Sequence, residues 1–104
     1  MSRFLLSILG AAALVLTYGT ASAGDAAAGK AKYATCAGCH GENGVSKMPN
    51  APSLAGKDEA YIKEALNAYK TGAKDNATMK AMASALSDTD VDNVAAYVAS
   101  FPKP

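Results

Sequence analysis

Beyond residue 24, apolar residues recur at the spacing of an α-helix, and no stretch alternates between apolar and polar residues as a β-strand does. One stripe predicts a helix over about 58–70, with Asp58 as its N-cap and Gly72 as its end. This stripe consists of Ile62, Leu66 and Tyr69. A second stripe predicts a final helix that ends at Pro102 and begins at 87–90, where Ser-Asp-Thr-Asp is similar to a capping box. Its apolar face consists of Val91, Val94, Ala95, Val98 and Phe101.

Weaker patterns complete the expected secondary structure. A first helix is predicted over about 25–37 with Asp25 as its N-cap, and a long loop over about 41–57, where Gly and Pro residues recur. The polar stretch 71–78 is predicted to be a loop, and a short helix is expected over 79–86. Together these patterns predict an all-α domain of about four helices.

Size and charge narrow the classes of function. The chain has 104 residues, which allows one domain, and 10 Lys and Arg against 9 Asp and Glu, which argues against a nucleic-acid binder. Half of the residues are apolar, which is typical of a globular protein and not of a disordered one. A domain of roughly 80 residues with few large apolar side chains is close to the limit of what a protein-only core stabilises. A disulfide, a metal or a bulky prosthetic group is therefore expected.

Residues 1–23 have the three parts of a secretory signal peptide: a positive charge at Arg3, an apolar stretch over 4–16, and small residues up to Ala23. We expect cleavage after Ala23, which leaves a domain over 24–104 in the periplasm. An uncleaved membrane anchor is the alternative, because no charge follows Arg3 in this segment. The second half of the segment, however, is too polar for a typical spanning helix.

The motif Cys36-Ala37-Gly38-Cys39-His40 carries the expected chemistry. Its C-x-x-C-H spacing is the attachment signature of c-type haem. Two thiols at this spacing can each add to one vinyl group on the same edge of a porphyrin, and His40 is then held where its imidazole can bind the iron. The export signal in the same chain agrees with this interpretation. The expected cofactor is therefore one covalently attached haem c.

Three other interpretations of Cys36 and Cys39 lack a supporting feature. A thioredoxin-like dithiol needs a βαβ context, and no strand is predicted. A disulfide between the two would close too small a loop to add much stability. A zinc site would draw at most three ligands from the motif, and the sequence offers no further Cys or His to complete it.

The order of these parts resembles that of the bacterial class I c-type cytochromes, in their short single-haem branch. The resemblance covers essentially all of 24–104 and includes, besides the motif, Gly29 and Tyr33 in the first helix and the segments 52–56 and 86–90. It implies a small cytochrome c fold with about four helices around one covalently bound haem. It also implies that the N- and C-terminal helices cross and pack closely, with Gly29 allowing the approach.

The sixth ligand of the iron distinguishes a carrier from a haem with an open iron, which would bind gases or react with peroxide. His40 is the only His, so two imidazoles of one chain cannot bind the iron, and the thioether candidates are Met48, Met79 and Met82. The resemblance implies Met79, and position favours it, because Met79 follows a polar loop. Met82 lies among Ala residues of the predicted short helix and is expected to be a core residue, whereas Met48 lies on a stiff loop only eight residues after His40. The resemblance further implies that the carbonyl of Pro52 accepts a hydrogen bond from the imidazole of His40.

A six-coordinate iron leaves no position for a substrate, so the resemblance implies outer-sphere electron transfer and not an enzyme. We expect a periplasmic one-electron carrier that is monomeric and at most peripheral to membrane complexes. Its redox partner proteins, a donor and an acceptor, would dock at the exposed haem edge. The lysines that could surround this edge are Lys47, Lys57, Lys74 and Lys80. A haem c subunit of a larger periplasmic oxidoreductase is the alternative.

We predict that the protein isolated from the periplasm begins at Gly24, because small residues precede this position in the order that signal peptidase requires. Intact-mass measurement of the native protein checks the prediction. Retention of residues 1–23 in a membrane fraction would show instead that the segment is an anchor.

Overall fold

The computed structural model describes residues 24–104, and the expected signal peptide over 1–23 lies outside the described residues. Within 24–104 the chain forms helices joined by loops and has no β-strand, which confirms the predicted all-α class. The helices are α1 (Ala26–Tyr33), α2 (Ala37–His40), α3 (Glu59–Thr71), α4 (Ala77–Ser84) and α5 (Asp88–Ala99). None of these described helices is long and apolar enough to cross a membrane.

Polar side chains fix where three of the helices begin. The carboxylate of Asp25 accepts hydrogen bonds from two amides in the first turn of α1, at 2.9 and 3.2 Å. Asp58 caps α3 by accepting from the backbone N–H of Tyr61 at 2.8 Å. Ser87 and Asp90 form a complete capping box on α5, in which the side chain of each accepts from the backbone N–H of the other at 3.0 Å. These caps satisfy amides that have no partner inside the helix, and they lie where the sequence predicts them.

The first helix is shorter than predicted, because it ends at Tyr33 and not near 37. The backbone N–H of Cys36 donates to the carbonyl of Tyr33 at 2.7 Å, so the helical ladder tightens into a turn at this point. The hydroxyl of Thr35 donates to the carbonyl of Lys32 at 3.3 Å and competes with the ladder. The motif therefore forms its own single turn, α2, and does not continue α1.

The short helix α4 begins and ends two residues earlier than predicted, at Ala77–Ser84 and not 79–86. Asn76 is its N-cap, and its side-chain oxygen accepts from the backbone N–H of Met79 at 2.9 Å. The polar character of 71–78 predicts a loop, but an Asn that precedes helix-forming residues also begins a helix. The N-cap at Asn76 therefore determines where the helix begins, although the stretch is polar on average.

Helices α1 and α5 cross in close contact at Gly29. A Cβ atom at Gly29 would lie 2.0 Å from the backbone oxygen of Asn93, so no larger residue permits this approach. At the same crossing the backbone N–H of Asp25 donates to the side-chain oxygen of Asn93 at 2.8 Å. The expected crossing of the N- and C-terminal helices is therefore confirmed.

Three aromatic rings join the two crossing helices to the loop after α2. Tyr33 of α1, Tyr97 of α5 and Phe101 contact one another, with centroids 5.0, 5.3 and 5.6 Å apart and planes that are tilted or edge-to-face. Each such pair contributes about 0.5–1.5 kcal/mol beyond its buried area. Phe101 also covers Gly44, where a Cβ atom would lie 2.6 Å from the ring. The end of the chain is thereby packed onto the loop over 41–57.

We predict that Gly29→Ala destabilises the protein, although Ala is the better helix former by about 1 kcal/mol. The added methyl group meets the backbone of α5, so the expected cost is about 3 kcal/mol, at the upper end of typical overpacking. For a domain of this size that corresponds to a fall of roughly 10–20 °C in Tm. Thermal unfolding followed by circular dichroism measures it.

A control for this prediction is Ala31→Leu, which adds bulk on an exposed position of the same helix. We expect this variant to unfold within a few degrees of the unaltered protein. An unchanged or higher Tm for Gly29→Ala would contradict the close approach of α1 and α5.

Candidate haem site

A cavity of about 250 Å³ opens beside α2 and is lined by residues from most parts of the fold. Its apolar walls come from the loop after α2 and from α3 and α5, and include Leu54, Ile62, Leu66, Val94 and Val98. The residues that the sequence analysis assigned to the haem, to its iron or to the hydrogen bond of the imidazole all line this cavity: Cys36, Cys39, His40, Pro52 and Met79. The fold therefore brings the whole set together around one space.

The imidazole of His40 is the buried polar group of the site, with 7% of the residue exposed. Its Nδ1 atom lies 2.8 Å from the carbonyl oxygen of Pro52. A carbonyl oxygen only accepts, so this bond requires the proton to be on Nδ1, and the imidazole donates it to Pro52. The other ring nitrogen, Nε2, then has its lone pair available for a metal.

The two cysteines line the cavity from the single turn of α2. Cys36 is half-buried and precedes α2, whereas Cys39 is exposed within it. Burial raises the pKa of the Cys36 thiol above its ordinary value. A hydrogen bond with the Thr35 side chain opposes part of this increase, and the neighbouring Cys39 adds to it. The backbone N–H of His40 donates to the carbonyl of Cys36 at 2.9 Å, so this turn also fixes the backbone position from which the His40 side chain extends.

Three methionines line the cavity, and they differ in burial. Met79 is half-buried and packs against the hydrophobic core, whereas Met48 and Met82 are each 43% exposed. Met82 is therefore not the core residue that its position among Ala residues predicts. The buried residue of α4 is its neighbour Ala83, and Met82 shares a helix face with Met79, three residues away. Met79 itself lies in the first turn of α4 and not directly after a loop, so the positional argument for it is also wrong.

Tyr33 connects α1 to the residue that follows His40. Its buried hydroxyl donates to the carbonyl of Gly41 at 2.7 Å. Burial raises the pKa of Tyr33 to about 12, so the hydroxyl keeps its proton, and this bond, well into alkaline solution. Gly41 has a φ of +90°, and a Cβ atom there would lie 1.9 Å from the carbonyl oxygen of Val45. The sharp turn after the imidazole therefore depends on glycine and is fixed by Tyr33.

Ser46 is a residue to which the sequence analysis gives no role. Its side chain and backbone make hydrogen bonds to several residues of the loop over 41–57, including both neighbours of Pro52. The only signal in the sequence is a Ser within a loop rich in Gly and Pro, where such hydroxyls often bond to nearby backbone. That signal does not say which carbonyls the hydroxyl reaches.

The groups around the cavity fit a haem. Imidazole nitrogen and thioether sulfur are the pair of axial ligands found in cytochromes c, and two thiols at the edge match two porphyrin attachment points. The apolar walls suit the body of the macrocycle. Between residues 24 and 104, no three His, Cys, Asp or Glu side chains lie close enough to hold a metal ion by themselves.

A small all-helical fold around an apolar cavity, with a C-x-x-C-H turn at its edge, defines the class of c-type haem proteins. The family model described as Cytochrome c matches residues 26–102. The chain belongs to the cytochrome c family, whose cofactor is covalently attached haem c with its iron and whose function is electron transport.

Two curated relatives are similar over most of this chain. It is 43% identical over 100 residues to cytochrome c4 of Pseudomonas aeruginosa, an alignment that covers 96% of this chain and 49% of that protein. It is 42% identical over 81 residues to cytochrome c-554(548) of Halomonas halodenitrificans, with 75% of this chain and 98% of that protein covered.

A solved structure confirms the cytochrome c fold. The crystal structure of reduced recombinant cytochrome c4 from Pseudomonas stutzeri matches with a TM-score of 0.72 and 38% identity. The match covers 79% of this chain and 48% of that one. The chain thus spans about half the length of the cytochrome c4 proteins it matches.

We predict that Cys36→Ala combined with Cys39→Ala gives no haem-stained band after denaturing electrophoresis. The doubly altered chain should also lose most of its helix, because a core of this size lacks a filler at its centre without the haem. Circular dichroism checks the second part. Met48→Ala is the control, since it alters the cavity wall but leaves both thiols, and it should keep the stain. Cooperative unfolding of the haem-free variant would contradict the dependence of folding on haem.

Proposed function

We propose that this protein is a periplasmic mono-haem electron carrier in which Cys36 and Cys39 hold the haem and His40 and Met79 bind its iron. The observation that carries the proposal is the cavity that both thiols, the buried imidazole and the half-buried thioether line together. Membership of the cytochrome c family supports it, as does the likeness to a cytochrome from Halomonas halodenitrificans, 98% of whose length aligns with this chain.

The bound haem supplies one iron that gains or loses a single electron. Cys36 and Cys39 would hold the haem to the single turn of α2 through thioether links. His40 follows that turn directly, so its imidazole approaches the iron with little freedom left in the backbone. Attachment and axial ligation thus come from five consecutive residues.

The hydrogen bond from Nδ1 of His40 to the carbonyl of Pro52 orients the imidazole ring and sets its tautomer. The bond also makes the ring a stronger electron donor, which favours the oxidised iron. Met79 acts in the opposite direction, because a thioether ligand raises the reduction potential. The potential of the carrier is then set by the balance between these two ligands and by burial.

If His40 and Met79 both hold the iron, no position would remain for a substrate, and we infer that the protein is a carrier and not an enzyme. The apolar walls, including Ile62, Leu66 and Val98, exclude water from the body of the cavity. Few dipoles then need to reorient when the charge on the iron changes, which favours rapid transfer at the exposed edge.

Two lysines lie beside the cavity and are the candidates for contact with redox partner proteins. Lys74 lines the cavity, and its ammonium group is 5.3 Å from the ring centroid of Tyr69. The ammonium group of Lys57 is 5.0 Å from the ring centroid of Tyr61, which also lines the cavity. Lys47 and Lys80, which were expected at the same edge, are exposed but do not line it. Because charges of both signs are nearly balanced over the chain, electrostatic steering would be modest.

The proposed location is the periplasm, with the signal peptide over 1–23 cleaved after Ala23 and the cytochrome domain over 24–104. The C-x-x-C-H motif and the signal-like segment support each other here, since both point to an exported protein. We infer a monomer that meets membrane complexes only at their surface.

A haem c unit of a larger periplasmic oxidoreductase is the second candidate. It is favoured by the cytochrome c4 proteins, in which a domain similar to this chain occupies about half of a longer polypeptide. Gel filtration of the native periplasmic fraction separates the two, because a free carrier elutes at the size of a single small domain and a subunit elutes with its partners.

We predict that Met79→Ala abolishes the weak near-infrared absorption band of methionine-to-iron ligation in the oxidised protein. The reduction potential should fall, and the reduced protein should bind carbon monoxide, because the sixth position is open once the thioether is removed. Absorption spectra with and without carbon monoxide measure the band and the binding, and voltammetry measures the potential.

Met82→Ala is the matched control, because Met82 lies on the same helix and lines the same cavity. Met82 lies outside the cluster of buried core residues, so we expect Met82→Ala to keep the band and to cost less than the ~2–5 kcal/mol of a buried Met. Loss of the band in Met82→Ala, with the band retained in Met79→Ala, would show that the assignment is wrong.

A further inference from the structure

We propose that Ser46 is a positioning residue for the axial imidazole, because it fixes the carbonyl of Pro52 that accepts the hydrogen bond from His40. The inference rests on the proposed function, in which His40 binds the iron. It adds a residue outside the haem motif to those that control how the ring is held.

The carbonyl of Pro52 needs outside support to stay in place. Pro52 has no backbone N–H, so it cannot be anchored through an amide of its own, and the residue lines the cavity. Even so, its carbonyl oxygen lies 2.8 Å from Nδ1 of His40. The residues on either side must therefore determine where this oxygen lies.

Ser46 is hydrogen-bonded to both residues that flank Pro52. Its hydroxyl oxygen lies 2.6 Å from the carbonyl oxygen of Ala51, the shortest of its contacts, and 2.8 Å from that of Met48. The single hydroxyl proton can be donated to only one of them at a time, and the shorter distance favours Ala51. Its backbone N–H donates to the hydroxyl oxygen of Ser53 at 2.9 Å. The same Ser46 hydroxyl oxygen accepts from the backbone N–H of Met48 at 3.2 Å, which fixes the orientation of the side chain. Pro52 is thus held between two bonds from one residue.

Ser46 is also tied to the residue before His40. The backbone N–H of Lys47 donates to the carbonyl of Cys39 at 3.1 Å, and the hydroxyl oxygen of Ser46 lies 3.4 Å from that same carbonyl. One short segment therefore contacts the donor side and the acceptor side of the bond between His40 and Pro52. This segment thus constrains the distance between Nδ1 of His40 and the carbonyl oxygen of Pro52.

Removing this support should loosen the bond from Nδ1 and make the imidazole a weaker electron donor. A weaker donor stabilises the oxidised iron less, so the reduction potential rises. The Nδ1 proton should also exchange with water more often, because the bond that protects it opens more frequently.

The test compares Ser46→Ala with Ser46→Thr and Ser100→Ala in the haem-loaded protein. Ser46→Thr keeps a hydroxyl, and Ser100→Ala removes one that bonds to the carbonyl of Tyr97, away from His40. Proton NMR of the reduced protein measures solvent exchange of the His40 Nδ1 proton, and voltammetry measures the potential. We expect exchange about tenfold faster in Ser46→Ala, as for the loss of one hydrogen bond, together with a higher potential. Ser46→Thr and Ser100→Ala should behave as the unaltered protein.

Equal exchange rates and potentials in Ser46→Ala and Ser100→Ala would overturn the role of Ser46 while leaving His40 as the ligand. If the unaltered protein shows no haem-shifted Nδ1 proton of His40, the proposed ligation fails and the inference fails with it. Should Ser46→Ala yield no haem-loaded protein, Ser53→Ala serves in its place, because it removes the second bond beside Pro52. It is expected to accelerate exchange by a smaller factor, and an unchanged rate would count against the proposal.

Discussion

The close crossing of α1 and α5 is the constraint on which the rest of the structure depends. Gly29 has no Cβ atom, and the backbone of α5 occupies the space where one would be. Two helices at this distance leave little room for relative movement, and the bond from Asp25 to Asn93 fixes their register. Because the N-terminal helix ends immediately before the haem motif, its position determines where that motif lies.

Aromatic side chains connect the crossing of α1 and α5 to the candidate haem site. Tyr33, the last residue of α1, packs against Tyr97 and Phe101 and donates a hydrogen bond to the carbonyl of Gly41. The single turn of α2 is therefore fixed at its start by α1 and at its end by a buried hydroxyl. Phe101 also packs against Gly44. This contact fixes the start of the loop that leads to Pro52.

A carrier of electrons benefits from ligands that do not move when the charge on the iron changes. In the proposed site, His40 is buried and hydrogen-bonded, and Met79 packs against the core in the first turn of α4. Apolar side chains form most of the surrounding wall, so the environment has few dipoles to reorganise. Lys74, beside the opening, places a positive charge next to the surface through which a partner would exchange electrons.

The sequence by itself determined the helical class, the helix starts at Asp58 and Ser87, and the haem motif, because spacing and capping act over a few residues. It predicted Met82 to be a core residue, since neighbouring Ala residues do not reveal which face a helix buries. It placed the start of α4 too late, because the average polarity of the stretch hides the N-cap at Asn76. Only the tertiary structure placed Met79 and Pro52 on the cavity of His40, and only it gave Ser46 its contacts. Those relations join segments far apart in the chain, and they exist only once the packing of α1 on α5 has fixed where each segment lies.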